Sequence, residues 1–167
     1  MRRFLQGLIL GVFVGPLAAL GTAWYGMWPV GATEDPSAWE SRIAGRLLDA
    51  SVARRAPRAA NPVKGSSDQL VAGMKIYRDA CAGCHGDARG PSRWGTKCFY
   101  PRAPQFAQEL PDQPDWQMFW IVKHGIRYTG MAAWDKEMPD EKIWQVVTFL
   151  TRIGSLPADV KAAWEKK

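Results

Sequence analysis

Cysteine is scarce in this chain, at three residues among 167. That number is both too small and too odd for a disulfide framework. Apolar residues make up 47% and charged residues 23%, ordinary values that exclude wholesale disorder. They are not spread over several long runs, so a multi-span membrane protein is excluded as well. No internal repeat, low-complexity tract, Gly-rich phosphate loop, paired-carboxylate site or Ser-His-Asp set is present. Acidic residues are the minority: residues 1–67 hold eight Lys or Arg against four Asp or Glu, and residues 68–167 hold fourteen against twelve. The basic excess lies in the N-terminal part, is interrupted by acids and carries no nucleic-acid motif, so solvated linker charge near anionic headgroups is expected and nucleic-acid binding is not.

What the chain has in unusual measure is tryptophan, nine against four tyrosines, and one long uncharged run. After Arg2 and Arg3 no charge appears from Phe4 to Thr33, and within Phe4–Val30 only Gln6 and Thr22 are overtly polar. About 20 such residues suffice for a helix to cross a hydrocarbon core of about 30 Å. Trp24, Tyr25 and Trp28 cluster at its far end, where amphipathic rings favour the headgroup level. Residues 1–31 are therefore expected to form a single membrane anchor, with the N-terminus cytoplasmic and the rest exported. Gly21-Thr22-Ala23 also offers small residues for signal cleavage, but the run continues past that point. Gly7, Gly11 and Gly15 recur at helical spacing and hint at a packing face.

Residues 32–67 read as a spacer. Ser37 is a candidate helix cap, and Trp39, Ile43 and Leu47 then recur on one face, with Arg42, Arg46, Arg54 and Arg55 around the rest. An interfacial helix and a plain surface helix both fit this pattern. Pro57 and Pro62 end it, and the part-helical, part-extended spacer is long enough to hold a domain several tens of Å from a bilayer.

Asp68 is a candidate cap for a helix through Leu70, Val71, Met74 and Tyr77. It runs into Cys81-Ala82-Gly83-Cys84-His85, the C-x-x-C-H pattern of covalent haem attachment. Cysteines at this spacing sit on one helical face and reach the two vinyl groups of the ring, while the next residue brings an imidazole beneath the iron. A thioredoxin-like redox pair needs surrounding strands that are missing. A zinc site needs further ligands, and only Cys98 and His124 are left. One covalently bound haem c, with its iron, is therefore the expected cofactor.

For the second axial ligand the candidates are Met118, Met131, Met138 and His124. Met118 and His124 fall in or beside a helix over Trp116–Lys123 that Gly125 closes. Met138 stands at the start of the last helix. Met131 lies in the loop Tyr128-Thr129-Gly130-Met131-Ala132-Ala133-Trp134, where a thioether can be brought over a haem face, and it is the preferred ligand.

Over Asp68–Ile153 the chain resembles a class I, mono-haem c-type cytochrome of the membrane-anchored bacterial type. The helix ending in C-x-x-C-H, the Gly130-Met131 loop and an aromatic-rich helix over Asp140–Ile153 come in that family's order. The resemblance implies a mostly α fold, a small helical domain around one haem, here following the N-terminal transmembrane helix. It implies a close crossing of first and last helices, with Gly73 and Tyr77 meeting Val146 and Phe149. Ile126–Met131 followed by Trp134 is similar to the family's axial-methionine stretch. Phe99–Phe106 resembles its proline loop, in which a proline carbonyl accepts from the axial imidazole; Pro101 and Pro104 are both eligible. Tyr100, Arg102, Arg127 and tryptophans such as Trp134 are candidate propionate partners. Cys98 departs from the pattern and is expected to be a small buried hydrophobe, with an intermolecular disulfide as the alternative.

The expected layout is thus an anchor at 1–31, a spacer at 32–67, a haem domain at 68–154 and a charged tail at 155–167, in which Trp164 is a candidate to fold back onto the domain. The expected role is one-electron transfer, without enzymatic activity of its own, through His85- and Met131-ligated iron. The domain would sit on the periplasmic side of the cytoplasmic membrane, as a shuttle or as a subunit of a larger respiratory-type oxidoreductase, exchanging electrons with a donor and an acceptor protein. A labile Met131 would instead suit a gas sensor or a peroxidatic enzyme.

Overall fold

A computed structural model of the chain describes residues 2–166; the side chains at positions 4, 5, 6, 8 and 9 fall outside that description. The regular structure of the described residues is helical, with no strand beyond a lone Asp87–Gly90 bridge. The chain divides into two compact units, Met1–Gly31 and Ala32–Lys167.

The first unit is α1, Arg2–Trp24, with Pro16 inside it, followed by a hook in which Trp28 Nε1 donates to Thr22 Oγ1 at 3.1 Å. Its described apolar side chains, including Leu10, Phe13, Leu17 and Leu20, are exposed. Among the described residues no helix is long and apolar enough to cross a membrane; the expected span includes the five side chains left out.

The second unit is built on two crossing helices. α3 spans Ser67–Ala80, and its cap is Ser66 rather than Asp68. Ser66 Oγ accepts from Gln69 N while Gln69 Oε1 accepts from Ser66 N, a reciprocal pair that a first-turn aspartate cannot match. α7 spans Asp140–Leu150, ending before the expected Ile153, where a short 3₁₀ turn at Ile153–Ser155 takes over. The two meet as anticipated. A Cβ on Gly73 would lie 2.2 Å from the Gln145 carbonyl oxygen, and Tyr77 and Phe149 pack with ring centroids 5.6 Å apart. α6, Asp115–His124, lies against α7 through stacked Phe119 and Trp144, 4.1 Å apart, and Gly125 at φ 66° stops it.

Neither the spacer nor the tail stands apart from this core. α2, Ala38–Arg55, starts at Ser37, whose Oγ accepts from Glu40 N. Val52, Ala56 and Val63 are buried. Asn61 Nδ2 donates to Asp115 Oδ2 at 2.6 Å and to the buried Thr148 Oγ1 at 2.8 Å. The sequence pattern showed the outer stripe of α2 but not Leu48 and Val52 on its opposite side, which hold it to the domain. In the tail, α8 (Ala158–Glu165) buries Val160 and Trp164, and Trp164 packs edge-on to both Tyr77 and Phe149. Arg78 Nη2 donates to the carbonyls of Ala163 and Trp164, closing that helix onto α3.

Candidate haem site

α3 hands the chain directly to the attachment turn. Cys81 is its C-cap, donating to Tyr77 O at 2.8 Å. α4, Ala82–His85, adds one more turn in which Cys84 and His85 both donate to Cys81 O. Gly86 ends it at φ 72°. Three groups pin this turn from behind. The buried Tyr77 hydroxyl donates to Gly86 O at 2.8 Å, with His85 O at 3.2 Å, and burial pushes its pKa up. Ser92 Oγ donates to Gly83 O. Gln105 Nε2 donates to Cys84 O at 3.0 Å and Ala103 O at 2.7 Å, while its Oε1 accepts from Ser92 N. α5, Arg93–Lys97, approaches so closely that a Cβ on Gly95 would lie 1.7 Å from Cys84 O.

The proline loop resolves the choice left open by sequence. His85 Nδ1 lies 2.8 Å from Pro104 O, so of the two exposed prolines it is Pro104 that meets the imidazole. A carbonyl can only accept, so Nδ1 carries the proton and Nε2 keeps its lone pair. Burial lowers the His85 pKa, partly offset by that carbonyl, which favours the neutral, ligating form. Phe106 stacks on the imidazole, centroids 4.7 Å apart. Gln105 and Phe106 were not singled out from sequence; each stands in an aperiodic loop with no spacing signal to mark it.

The methionine loop is folded back on the end of α6. Gly125 leaves no space for a side chain, since its Cβ would meet Met131 O at 2.6 Å. Ile126 N donates to Met131 O, Thr129 Oγ1 donates to Ile126 O, and Met131 N donates to Thr129 Oγ1. Trp134 N donates to Lys123 O at 3.1 Å. Met131, Trp134 and Met138 are half-buried against the core. Met118 is buried inside α6 as core filler, and His124 is exposed with its ring 4.9 Å from Trp120.

Several candidates are engaged elsewhere. The Arg102 guanidinium donates to Ala32 O, Thr33 O, Lys97 O and Phe99 O and pairs with Asp35 Oδ1 at 3.0 Å, so it buckles the strap 32–35 to the proline loop rather than standing free for a propionate. Glu40 beside the Tyr100 hydroxyl pushes its pKa up to about 12. Arg127 is exposed. Cys98 is exposed too, correcting the expectation of a buried thiol: α5 turns Gly95 inward and leaves its C-cap outside.

The chain's own groups fit a haem. Cys81 and Cys84 are unpaired thiols, and burial with Cys84 nearby pushes Cys81 up to about 12. His85 offers one free ring nitrogen, and Phe106, Met131 and Trp134 present apolar surface only half covered by the core. Among the described residues, no group of three or more His, Cys, Asp or Glu is placed to hold a metal ion by itself, so the zinc alternative finds no support.

The family described as cytochrome C oxidase, cbb3-type, subunit III, matches residues 68–150. Those residues form a c-type cytochrome domain, and the cofactor is haem c, bound covalently with its iron. Among curated proteins, none matches the chain. Among solved structures, the chain is similar to one chain of a reducing HAO-like protein complex of Kuenenia stuttgartiensis, at 18% identity and a TM-score of 0.47. That similarity covers 58% of this chain and 50% of the other, so this chain spans about half the length of that relative.

Proposed function

We propose that the protein is a one-electron carrier whose haem iron is held by His85 and Met131 and which has no substrate chemistry of its own. When bound, haem c supplies an iron that cycles between ferric and ferrous states. The observation that carries the reading is the His85 Nδ1–Pro104 O contact at 2.8 Å. It fixes tautomer and ring plane, and the hydrogen bond strengthens the imidazole as a donor. Thr129 and Ile126 hold the Met131 backbone from the other side of the sequence. A thioether ligand favours the ferrous form relative to a second nitrogen, giving a higher potential.

The uncharged run through α1 and its aromatic end support a membrane anchor, with the haem unit on the extracytoplasmic side of the cytoplasmic membrane. Residues 25–31, the chain between the end of α1 and the strap held by Arg102, span at most about 25 Å when extended. That favours a subunit working within a membrane oxidoreductase complex over a long-range shuttle.

The test is the visible spectrum of the detergent-solubilised, dithionite-reduced protein with and without carbon monoxide, together with recovery of partners after mild extraction. A low-spin spectrum indifferent to the gas, gained as carbon monoxide binding in Met131→Ala, is expected. A wild-type spectrum that shifts with the gas would overturn the carrier reading in favour of a sensor or peroxidatic haem.

A further inference from the structure

We infer that the outward face of α2 is a docking surface for an anionic lipid bilayer. α2 carries two apolar stripes on opposite sides. On the inward side Leu48 is half-buried and Val52 is 1% exposed. The other stripe, Trp39, Ile43 and Leu47, is 66%, 52% and 66% exposed. These residues are spaced four apart, so they stand one above another along the helix. One apolar face suffices to hold a helix to its domain; the second is left uncovered by the described residues of the haem unit.

Charge decides what covers it. Arg42 and Arg46 are exposed along one flank of the stripe, and Arg54 continues the same face a further two turns on. Glu40, the acid nearest the stripe, is half-buried rather than exposed beside it. Asp49 lies on the same flank, one turn beyond Arg46, and offsets one of those charges, which leaves Arg42, Arg46 and Arg54 a net basic excess along the stripe. A bilayer surface matches this combination: Trp, Ile and Leu enter the boundary between headgroups and acyl chains, while arginine stems lie along the surface and their guanidinium groups reach lipid phosphates. The inference holds whether α1 spans a membrane or not, because it concerns the haem unit alone. Docking there would give that unit one orientation at the membrane.

The test uses the full, haem-loaded chain with Cys98→Ser, carrying a nitroxide on Leu47→Cys or, as a remote control, on Lys142→Cys. Each is mixed with or reconstituted into vesicles of phosphatidylcholine alone or with a quarter phosphatidylglycerol. Visible spectra matching the unlabelled protein certify the fold. The expected result is that the Leu47 label becomes accessible to oxygen and shielded from a water-soluble nickel reagent in the anionic vesicles, while the Lys142 label does not change. Replacing Arg42 and Arg46 by Gln should lower the docked-to-undocked ratio roughly thirtyfold, two charges' worth of surface attraction. A Leu47 label that stays open to nickel in anionic vesicles overturns the proposal. So does one shielded from both reagents with dipolar coupling to a second label, which would mean that another copy of this chain covers the face.

Discussion

Replacing Gly73 by Ala tests the frame that carries the attachment turn. The added methyl would sit 2.2 Å from Gln145 O, 2.8 Å from Gln145 C and 3.0 Å from Phe149 Cβ. Two of these are backbone atoms of α7, so no side chain can swing aside. Relief requires α3 and α7 to separate by roughly 1 Å, and a gap of that size forfeits a quarter to a half of each contact's dispersion well. The losses fall on Leu70, Tyr77, Val146 and Phe149, all at most 1% exposed. Overpacking of this kind costs about 3 kcal/mol or slightly more, and the helical preference of Ala over Gly returns about 1 kcal/mol of it. A net loss of about 2–3 kcal/mol corresponds to a fall in Tm on the order of 10 °C. Gly83→Ala is the control: it lies in the attachment turn itself, but nothing stands within 4 Å of its Cβ and its φ is not left-handed, so a change within about 1 kcal/mol is expected. Thermal melts of the haem-loaded proteins, followed by haem absorbance and by tryptophan fluorescence, would compare the two. A Gly73→Ala melt indistinguishable from wild type, or an equal loss in Gly83→Ala, would refute the reasoning.

Gln105→Ala removes the groups that join Cys84 O, Ala103 O and Ser92 N, and should cost about 2 kcal/mol in urea unfolding; a neutral result would show that water replaces the side chain. Arg102→Ala frees the strap at residues 32–35. Because Asp35 is 80% exposed, the ion pair itself is worth little, and a loss of about 1 kcal/mol is expected, with faster protease nicking before Ser37 as the more sensitive readout. Asp87 is held below the ordinary carboxylate range chiefly by hydrogen bonds from Arg89. A depressed folded pKa stabilises fully above the unfolded value of about 4 and is lost as pH falls through the folded pKa. Urea midpoints at pH 5 and pH 3 should therefore converge in Asp87→Asn relative to wild type.

The parts of this structure that sequence revealed are those fixed by spacing. C-x-x-C-H is a local pattern, and the apolar periodicity of Leu70, Met74 and Tyr77 marks a helix without help from the rest of the chain. The crossing at Gly73 was accessible only through resemblance, because a glycine's value there lies in a partner more than seventy residues away. Residues whose work is to hold backbone groups in irregular loops left no trace in the pattern. Gln105 and Phe106 act through carbonyls and rings that come together only after the helices have packed, and Arg102, a candidate propionate partner by resemblance, is engaged by backbone carbonyls that no spacing marks. Trp164 is the exception: one indole in a short charged tail is a reason to expect that the tail folds back, and it does, completing an aromatic cluster with Tyr77 and Phe149. Cys98 misled for the opposite reason: a buried position is the usual one for an unpaired thiol, and a helix of five residues is too short to bury its own end.

Arg102 ties two otherwise separate features together. The strap that it fastens begins at Ala32, where the haem unit begins, and the loop it grips leads two residues later to Pro104, the partner of the His85 imidazole. Any pull along the chain from the N-terminal unit is therefore taken up by the guanidinium and its five acceptors before it reaches the histidine side of the site. A free shuttle has little use for such an arrangement, since a slack tether transmits no load. A carrier with a link of about 25 Å gains the opposite advantage: the domain is confined near one surface, where a short link holds a partner at an effective concentration in the millimolar range. The cost is reach, because an acceptor several tens of Å away lies outside the accessible volume. The buckle at Arg102 and the buried contacts of Val52 and Val63 thus bear on the proposed function in one direction: they favour a partner within short reach over a free shuttle.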